Sequence, residues 1–237
     1  MAPNRAALVR VSRALGELRG ELVFVGGQVA ELLITDPAAT RVRPTDDVDV
    51  ICEVTGRSEY AHLSDQLRSL GFMEDRTQGA PICRWRLGTD ILDVMPADGS
   101  ILQFENSWYG LGIRTASQYE IAADLYIRVV SAPAFLATKW EAFTDRGQSD
   151  WYGSHDLEDI VAVVAGRGEI VNEVADTEPS ARQYIASEAQ ALINSKVSQD
   201  VIAGALPDAI QIPGIIVEVE RRFESLANLS ELHGSSE

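Results

Sequence analysis

The sequence predicts an α+β fold, in which a mixed sheet flanked by helices forms a core and a helical C-terminal part follows it. Short apolar strand-like runs alternate with helix-like segments up to residue 132, whereas helical spacing dominates after Pro133. The 237 residues, 46% of them hydrophobic, are enough to bury a sizeable core. We therefore expect two domains, a core at 1–132 and a helical region at 133–237 that completes the cleft of the core.

The core begins with a helix, a buried strand and a second helical segment. Apolar residues at helical spacing predict a helix at 5–19. The apolar run LVFV at 22–25 is typical of a short buried strand. Gly26 and Gly27 end this strand, and the segment QVAELLI after them is helix-like.

Further along the core, a strand, a helix and a hairpin are expected. DVDVIC at 47–52 predicts the second strand, and an amphipathic helix follows it and ends at Gly71. The strand-like runs PICRWRLG and ILDVMPA flank Gly88-Thr89-Asp90, a pattern that predicts a hairpin. YIRVV predicts another strand. Helical spacing then predicts helices at 134–145, 156–165, 178–195 and 212–228.

The composition restricts the partners of this chain. Its formal net charge of −16 repels nucleic acid, so a polynucleotide partner requires a local basic patch. Cys52 and Cys83 have no metal-binding spacing and predict two reduced thiols. The N-terminus lacks the apolar core of a signal peptide, and no apolar run approaches the ~20 residues that span a bilayer. We therefore expect a cytoplasmic protein without a membrane partner.

Two acidic residues stand inside the second strand, where a buried carboxylate is unfavourable unless a cation neutralises it. Because side chains two residues apart point to the same face of a strand, Thr45, Asp47 and Asp49 share one face. Two carboxylates placed in this way can bind hard divalent cations. The structural alternative is the solvated face of an edge strand, where acidic residues prevent pairing with other strands.

A third acidic residue, Asp93, lies among apolar neighbours in ILDVM. If its strand lies beside 47–52, Asp93 completes a site of three carboxylates for Mg²⁺ or Mn²⁺. Otherwise it is a single acid at a strand end or bulge. Gly26 and Gly27 stand where a strand meets a helix, so their backbone can approach phosphate groups. The alternative for this glycine pair is a tight strand-to-helix turn.

The order of these elements resembles the nucleotidyltransferase superfamily of the DNA polymerase β type. VGG, DVDV and LDV occur in the order of that superfamily's motifs and cover about residues 22–95. The run FLATKWEAFTDRGQSDWYGSHDLEDIVAVV resembles the C-terminal motifs of AbiEii/AbiGii-type toxin nucleotidyltransferases. Those proteins carry a Lys on a helix, a downstream Arg and an Asp that opens the next helix. The corresponding residues here are Lys139, Arg146 and Asp156.

The resemblance implies a metal-dependent enzyme that transfers NMP from an NTP to a hydroxyl group. The implied catalytic residues are Asp47, Asp49, Asp93, Lys139 and Asp156, of which the first three bind the metal ions. The implied nucleotide-binding residues are Gly26, Gly27, Thr45, Lys139 and Arg146. The resemblance also implies a toxin of a toxin–antitoxin or phage-defence pair, with RNA such as tRNA as acceptor and an antitoxin protein as partner.

Two other functions agree with the residues. A small-molecule nucleotidyltransferase of the antibiotic-modifying type suits the net acidity, because aminoglycosides are cationic. A non-catalytic nucleotide-binding or partner-binding module with the same fold is the second alternative, and the intact set of three acidic residues argues against it.

The C-terminal motif residues have structural alternatives. Lys139 and Arg146 share one helix face by their spacing, which suits phosphate binding, but a solvated helix face gives the same pattern. Asp156 stands with Glu158 and Asp159 in a first helical turn, where acidic residues complement the helix dipole.

An RNA acceptor requires cations around the site. If the chain folds as predicted, three groups of cations rim one cleft and form a locally positive mouth: Arg41 with Arg43, Arg84 with Arg86, and Lys139 with Arg146. Arg84 and Arg86 either bind phosphate near Asp93 or remain exposed charges on a strand.

Overall fold

The structure is a computed structural model, and it describes residues 3–36, 42–103, 106–147, 150–206 and 213–233. The chain divides into two units, one of Met1–Val29 with Pro44–Ser131 and one of Ala30–Arg43 with Ala132–Glu237. Residues 30–43, which the sequence assigns to the core, thus group with the helical region. The division into a core at 1–132 and a helical region at 133–237 stays a prediction.

A seven-stranded mixed sheet is the framework of the first unit. Its strands are β1 (Leu22–Val25), β2 (Asp47–Cys52), β3 (Met73–Glu74), β4 (Arg84–Leu87), β5 (Asp90–Pro96), β6 (Ser117–Ala122) and β7 (Leu125–Val129). They lie in the order β3-β4-β5-β2-β1-β7-β6. The pairs β2/β5 and β1/β7 are parallel, and the other neighbours are antiparallel. The mixed sheet flanked by helices that the sequence predicts is confirmed.

Helices account for most of the remaining described structure. They are α1 (Pro3–Leu15), α2 (Ala30–Leu33), α3 (Arg57–Ser69), α4 (Tyr109–Arg114), α5 (Ala132–Gly147), α6 (His155–Gly166), α7 (Ile170–Ala175), α8 (Pro179–Asn194), α9 (Ser198–Ala205) and α10 (Ile215–Ala227). Short 3₁₀ segments occur at Gly16–Gly20, Gly27–Val29 and Asn228–His233. In the described part of the chain, no helix is long and apolar enough to cross a membrane.

Burial determines the positions of β1 and β2, and one turn determines the register of β4 and β5. All four residues of β1 are buried, as is expected of a strand inside a sheet. In β2 the buried Val48 and Val50 alternate with the half-buried Asp47 and Asp49. Gly88 has a φ of +60° in the turn between β4 and β5, a conformation that favours glycine. This turn pairs Leu87 with Asp90 and thereby fixes the register of the hairpin.

The second unit is helical, as the sequence predicts. α5 packs against α6 and α8, and α8 packs against α10. The segment Ile160–Gly166 of α6 is buried throughout, and Phe135, Trp140 and Phe223 are among the largest fully buried side chains. The four helices predicted in this region are confirmed as α5, α6, α8 and α10, with ends that differ by a few residues.

Several short elements carry too little pattern to be predicted from the sequence. The sequence analysis misses β3, α4, β6, α7 and α9. The strand β6 is largely exposed and polar, so it lacks the apolar alternation that marks a strand. The helix expected in QVAELLI is shorter than predicted, because a 3₁₀ turn at Gly27–Val29 leaves only the four residues of α2.

Candidate metal centre

Four residues form a row across the sheet at the end of β1. The strand register pairs Val25 with Asp49, Asp49 with Asp93, and Asp93 with Arg84. Residues that are directly opposite on neighbouring strands have side chains on the same face. Asp49, Asp93 and Arg84 are therefore side by side, and Asp47 points to the same face because it precedes Asp49 by two residues.

The three carboxylates converge, as their positions on the strands predict. One ligand oxygen from each of Asp47, Asp49 and Asp93 lies within 4.8 Å of the others. Asp93 is buried, with 6% of its surface exposed, whereas Asp47 and Asp49 are half-buried. Three negative charges at this spacing repel one another, so the cluster needs cationic partners.

Arg84 is one such partner. Its Nε donates a hydrogen bond to Oδ1 of Asp93 at 2.9 Å, and its Nη2 donates to Oδ2 of Asp93 at 2.7 Å. The same Nη2 donates to Oδ2 of Asp47 at 2.9 Å. The hydrogen bond to Asp93 raises the pKa of Arg84 further above its usual range, so the guanidinium stays protonated. Arg84 is therefore not an exposed strand charge, whereas phosphate binding by Arg84 stays a prediction.

Gly26 packs directly against one of the acidic residues. It has a φ of +75°, and a Cβ at this position would lie 2.0 Å from Oδ2 of Asp49. Any other residue would therefore strain the backbone and displace the carboxylate. The contact with Asp49 explains why this position requires glycine, and the sequence analysis did not identify it. Phosphate binding by Gly26 and Gly27 stays a prediction.

The segment that leads into β2 is held by polar contacts. The backbone N–H of Thr45 donates to Oδ1 of Asn4 at 3.0 Å, and its carbonyl accepts from Nε2 of Gln28 at 2.8 Å. Gln28 is completely buried. Within the described part of the chain, Oε1 of Gln28 and Oγ1 of Thr45 are buried without a hydrogen-bond partner. Nucleotide binding by Thr45 stays a prediction.

The donor set fits a hard divalent cation. Carboxylate oxygens are preferred ligands of Mg²⁺ and Mn²⁺, and the spacing lets one ion contact an oxygen of each residue. The three carboxylates carry three negative charges, and a divalent ion would neutralise two of them. Asp47, Asp49 and Asp93 are therefore the residues that would hold the metal.

In the second unit, Lys139 belongs to a buried ion cluster. Its Nζ lies 3.0 Å from Oδ1 of Asp156 and 2.7 Å from Oδ2 of Asp159. Burial alone would lower the pKa of Lys139, but the charges of Asp159 and Asp156 outweigh it, and the pKa is raised. Only 9% of Lys139 is exposed, so a solvated helix face is the wrong description of its environment.

The other cations expected around the site also have acidic partners where the structure describes their side chains. Nε of Arg43 lies 3.6 Å from Oε2 of Glu158, and Nε of Arg86 lies 2.6 Å from Oδ2 of Asp75. Arg41 and the side chain of Arg146 lie outside the described residues. The predicted positive mouth stays a prediction.

The arrangement of the sheet and its helices is similar to that of a solved structure described as nucleotidyltransferase-like. The chain is similar to the crystal structure of an antigenic nucleotidyltransferase-like protein from Paracoccidioides brasiliensis. The two chains are 18% identical, the match covers 93% of each, and the TM-score is 0.50. Comparisons with protein-family models and with curated proteins find no match. The closer resemblance to AbiEii/AbiGii-type toxins stays a prediction.

The sequence analysis did not predict that Arg84 pairs with the carboxylate cluster or that Asp159 pairs with Lys139. The pairing of Arg84 with Asp93 could have been predicted from the two-residue turn at Gly88-Thr89. This turn places Leu87 opposite Asp90, and the same register places Arg84 opposite Asp93. Asp159 follows Asp156 by three residues and so lies on the same side of α6. The sequence gives no signal that this side faces Lys139, since that depends on how α5 and α6 pack.

Proposed function

We propose that this chain is a metal-dependent nucleotidyltransferase that transfers NMP from an NTP to a hydroxyl group. The observation that supports the proposal is the convergence of Asp47, Asp49 and Asp93 beside Gly26 on a nucleotidyltransferase-like fold. In this reaction the hydroxyl oxygen forms a bond to the α-phosphorus, and the bond from that phosphorus to the pyrophosphate oxygen breaks.

The residues of the first unit bind and orient the reactants in this proposal. Asp47, Asp49 and Asp93 hold Mg²⁺ or Mn²⁺, which when bound neutralises phosphate charge and lowers the pKa of the acceptor hydroxyl. The backbone at Gly26 and Gly27 carries no side chains that would block the phosphates. Asp93 is the proposed acceptor of the hydroxyl proton, and its two carboxylate oxygens accept hydrogen bonds from Arg84.

Three residues of the second unit are proposed to take part through the roles that the resemblance implies. Lys139 and Asp156 are proposed catalytic residues, and Lys139 and Arg146 are proposed nucleotide ligands. The ion cluster of Lys139 with Asp156 and Asp159 supports a fixed position for the ammonium group. A lysine held by two carboxylates binds phosphate only in exchange for one of these contacts.

For the acceptor we propose RNA such as tRNA, in a toxin or phage-defence role with an antitoxin protein as partner. The support is the AbiEii-like run that contains Lys139 and Asp156. A small cationic acceptor such as an aminoglycoside is the second candidate. It is favoured by the net charge of −16 and by the acidic partners of Arg43, Arg84 and Arg86.

The experiment is an incubation of the protein and Mg²⁺ with each α-³²P-labelled NTP and an acceptor, either total RNA or an aminoglycoside. Label in RNA supports the toxin proposal, and label only in the aminoglycoside supports the second candidate. An NTP that binds without transfer of label indicates a non-catalytic module. Asp47→Asn should abolish transfer, whereas Asp46→Asn, which makes the same charge change at an exposed neighbour, should not.

A further inference from the structure

We propose that Arg84 competes with the metal for the oxygens of Asp93 and Asp47, and thereby couples metal binding to nucleotide binding. This inference rests on the proposed function and adds a positioning residue to it. The guanidinium would leave the carboxylates when the metal binds and donate its hydrogen bonds to the phosphates of the nucleotide.

The first argument is that Arg84 and a metal would share the same two carboxylates. Arg84 donates to both oxygens of Asp93 and to Oδ2 of Asp47, at 2.7 to 2.9 Å. An ion held by Asp93 and Asp47 would contact these two carboxylates directly. Two cations at such a short separation repel each other strongly in a partly buried site. Metal binding therefore weakens or breaks the contacts of Arg84.

The second argument is that the pairing of Arg84 is built into the sheet. Arg84 on β4 is the direct cross-strand partner of Asp93 on β5, because the turn at Gly88 sets the register. The side chain of Arg84 is 20% exposed and that of Asp93 is 8% exposed. Solvent and salt screen such a pair less than a surface pair. The Arg84–Asp93 pair therefore lowers the affinity of the site for a metal ion.

The third argument concerns where the guanidinium goes. An arginine stays protonated in proteins, and a buried charge that loses its partner is strongly destabilising. The fork of N–H groups on Arg84 matches phosphate oxygens in geometry and charge. A metal-bound nucleotide would bring such oxygens to the carboxylates. The nucleotide thus compensates for the loss of the Arg84 pairs, and by linkage it strengthens metal binding.

The test uses two variants of Arg84 and one matched control. Arg84→Gln removes the competing charge, and Arg84→Lys keeps the charge but removes the two-pronged contact with Asp93. Arg86→Gln makes the same charge change two residues along β4, where the arginine pairs with Asp75 and not with the carboxylate cluster. Calorimetric titrations measure the affinity for Mn²⁺ alone and for preformed Mn²⁺ complexed with a non-hydrolysable NTP analogue.

Arg84→Gln should bind Mn²⁺ alone about tenfold more tightly than the parent, the value of one charged hydrogen bond. Its affinity for the Mn²⁺–nucleotide complex should stay within about twofold of the parent, because the carboxylate pairs that Arg84 gives up and the phosphate contacts that it gains are of similar strength. Arg84→Lys should also bind Mn²⁺ alone more tightly, which a pure charge effect does not predict. Arg86→Gln should stay within about twofold of the parent, because its partner is Asp75.

Tighter binding of Mn²⁺ alone by Arg84→Gln, without a comparable gain for the complex, supports the inference. Equal gains for both ligands, or no gain for Mn²⁺ alone, overturn it while leaving the proposed function intact if the parent binds both ligands. A parent that binds neither Mn²⁺ nor the complex overturns both proposals. Circular dichroism checks the fold. If Arg84→Gln does not fold, Arg84→Lys decides, and unchanged Mn²⁺ affinity in that variant overturns the inference.

Discussion

Gly26 lies against the carboxylate of Asp49, at a distance where a single added methyl group would overlap Oδ2. The main chain at the end of β1 thus determines where a metal ligand of β2 is placed. Two separate effects oppose any side chain at this glycine. One is the positive φ of +75°, and the other is the collision with Asp49.

Gly26→Ala should therefore destabilise the fold and weaken metal binding. A positive φ costs an alanine about 1–2 kcal/mol, and displacement of Asp49 adds to this. Gly79→Ala is the matched control, because Gly79 has a φ of +87° but no atom within 4 Å of an added Cβ. Urea denaturation and Mn²⁺ titration of both variants measure the difference. Equal metal affinity in the two variants would show that the contact with Asp49 has no consequence.

Lys139→Ala should lower the free energy of unfolding strongly, whereas the same substitution at an exposed lysine should change it little. The substitution leaves Asp159, whose side chain is 1% exposed, as a buried charge without its closest cation. Breaking a buried pair in this way costs about 3–5 kcal/mol. The chain has a suitable control in the exposed Lys196, whose replacement by alanine should change the free energy of unfolding by no more than about 0.5 kcal/mol. Similar urea midpoints for the two variants would exclude a structural role for the cluster.

Stability should fall as the pH rises above 9, because two thiols are buried. Burial raises the pKa of Cys52 to about 12, and burial together with the charges of Asp93 and Asp49 raises that of Cys83 to about 12. Above pH 9 the unfolded thiols lose their protons while the folded thiols keep them, so the native state binds more protons and is disfavoured. This amounts to about 1.4 kcal/mol per thiol between pH 8 and pH 10.

Urea denaturation at pH 8 and pH 10 measures this loss. Lys139, whose pKa is raised, contributes in the same direction only above its ordinary value of 10.5, outside this window. A Cys52→Ala/Cys83→Ala variant should lose most of the pH dependence. Equal pH dependence in the variant and the parent would assign the effect to other groups.

The sequence predicts the carboxylate cluster better than the Lys139 cluster, because strand alternation is a local pattern that fixes which side chains share a face. The side-chain parity of β2 placed Asp47 and Asp49 on one face, and the motif order brought Asp93 beside them. The pairing of Arg84 with Asp93 also follows from a local feature, the turn at Gly88, although it was not recognised. The environment of Lys139 could not be predicted, because the contact with Asp159 depends on how α5 packs against α6.

A divalent metal should raise the melting temperature, because it binds the native carboxylate cluster and not the unfolded chain. At a metal concentration of 100 times the dissociation constant, the expected stabilisation is about 2.7 kcal/mol. An Asp47→Asn/Asp49→Asn variant should lose this response and be at least as stable as the parent in a chelator, because charge repulsion is reduced. Asp46→Asn should keep the response. A response that persists in the double variant would place the metal elsewhere.

The most direct measurement compares transfer of label from α-³²P-NTP and γ-³²P-NTP to the acceptor, in Mg²⁺ and in a chelator. Nucleotidyl transfer predicts label from the α position only, in Mg²⁺ only, with release of pyrophosphate. Asp47→Asn should abolish it and Asp46→Asn should keep it. Transfer of the γ label, or transfer that survives Asp47→Asn, would contradict a nucleotidyltransferase that works through Asp47, Asp49 and Asp93.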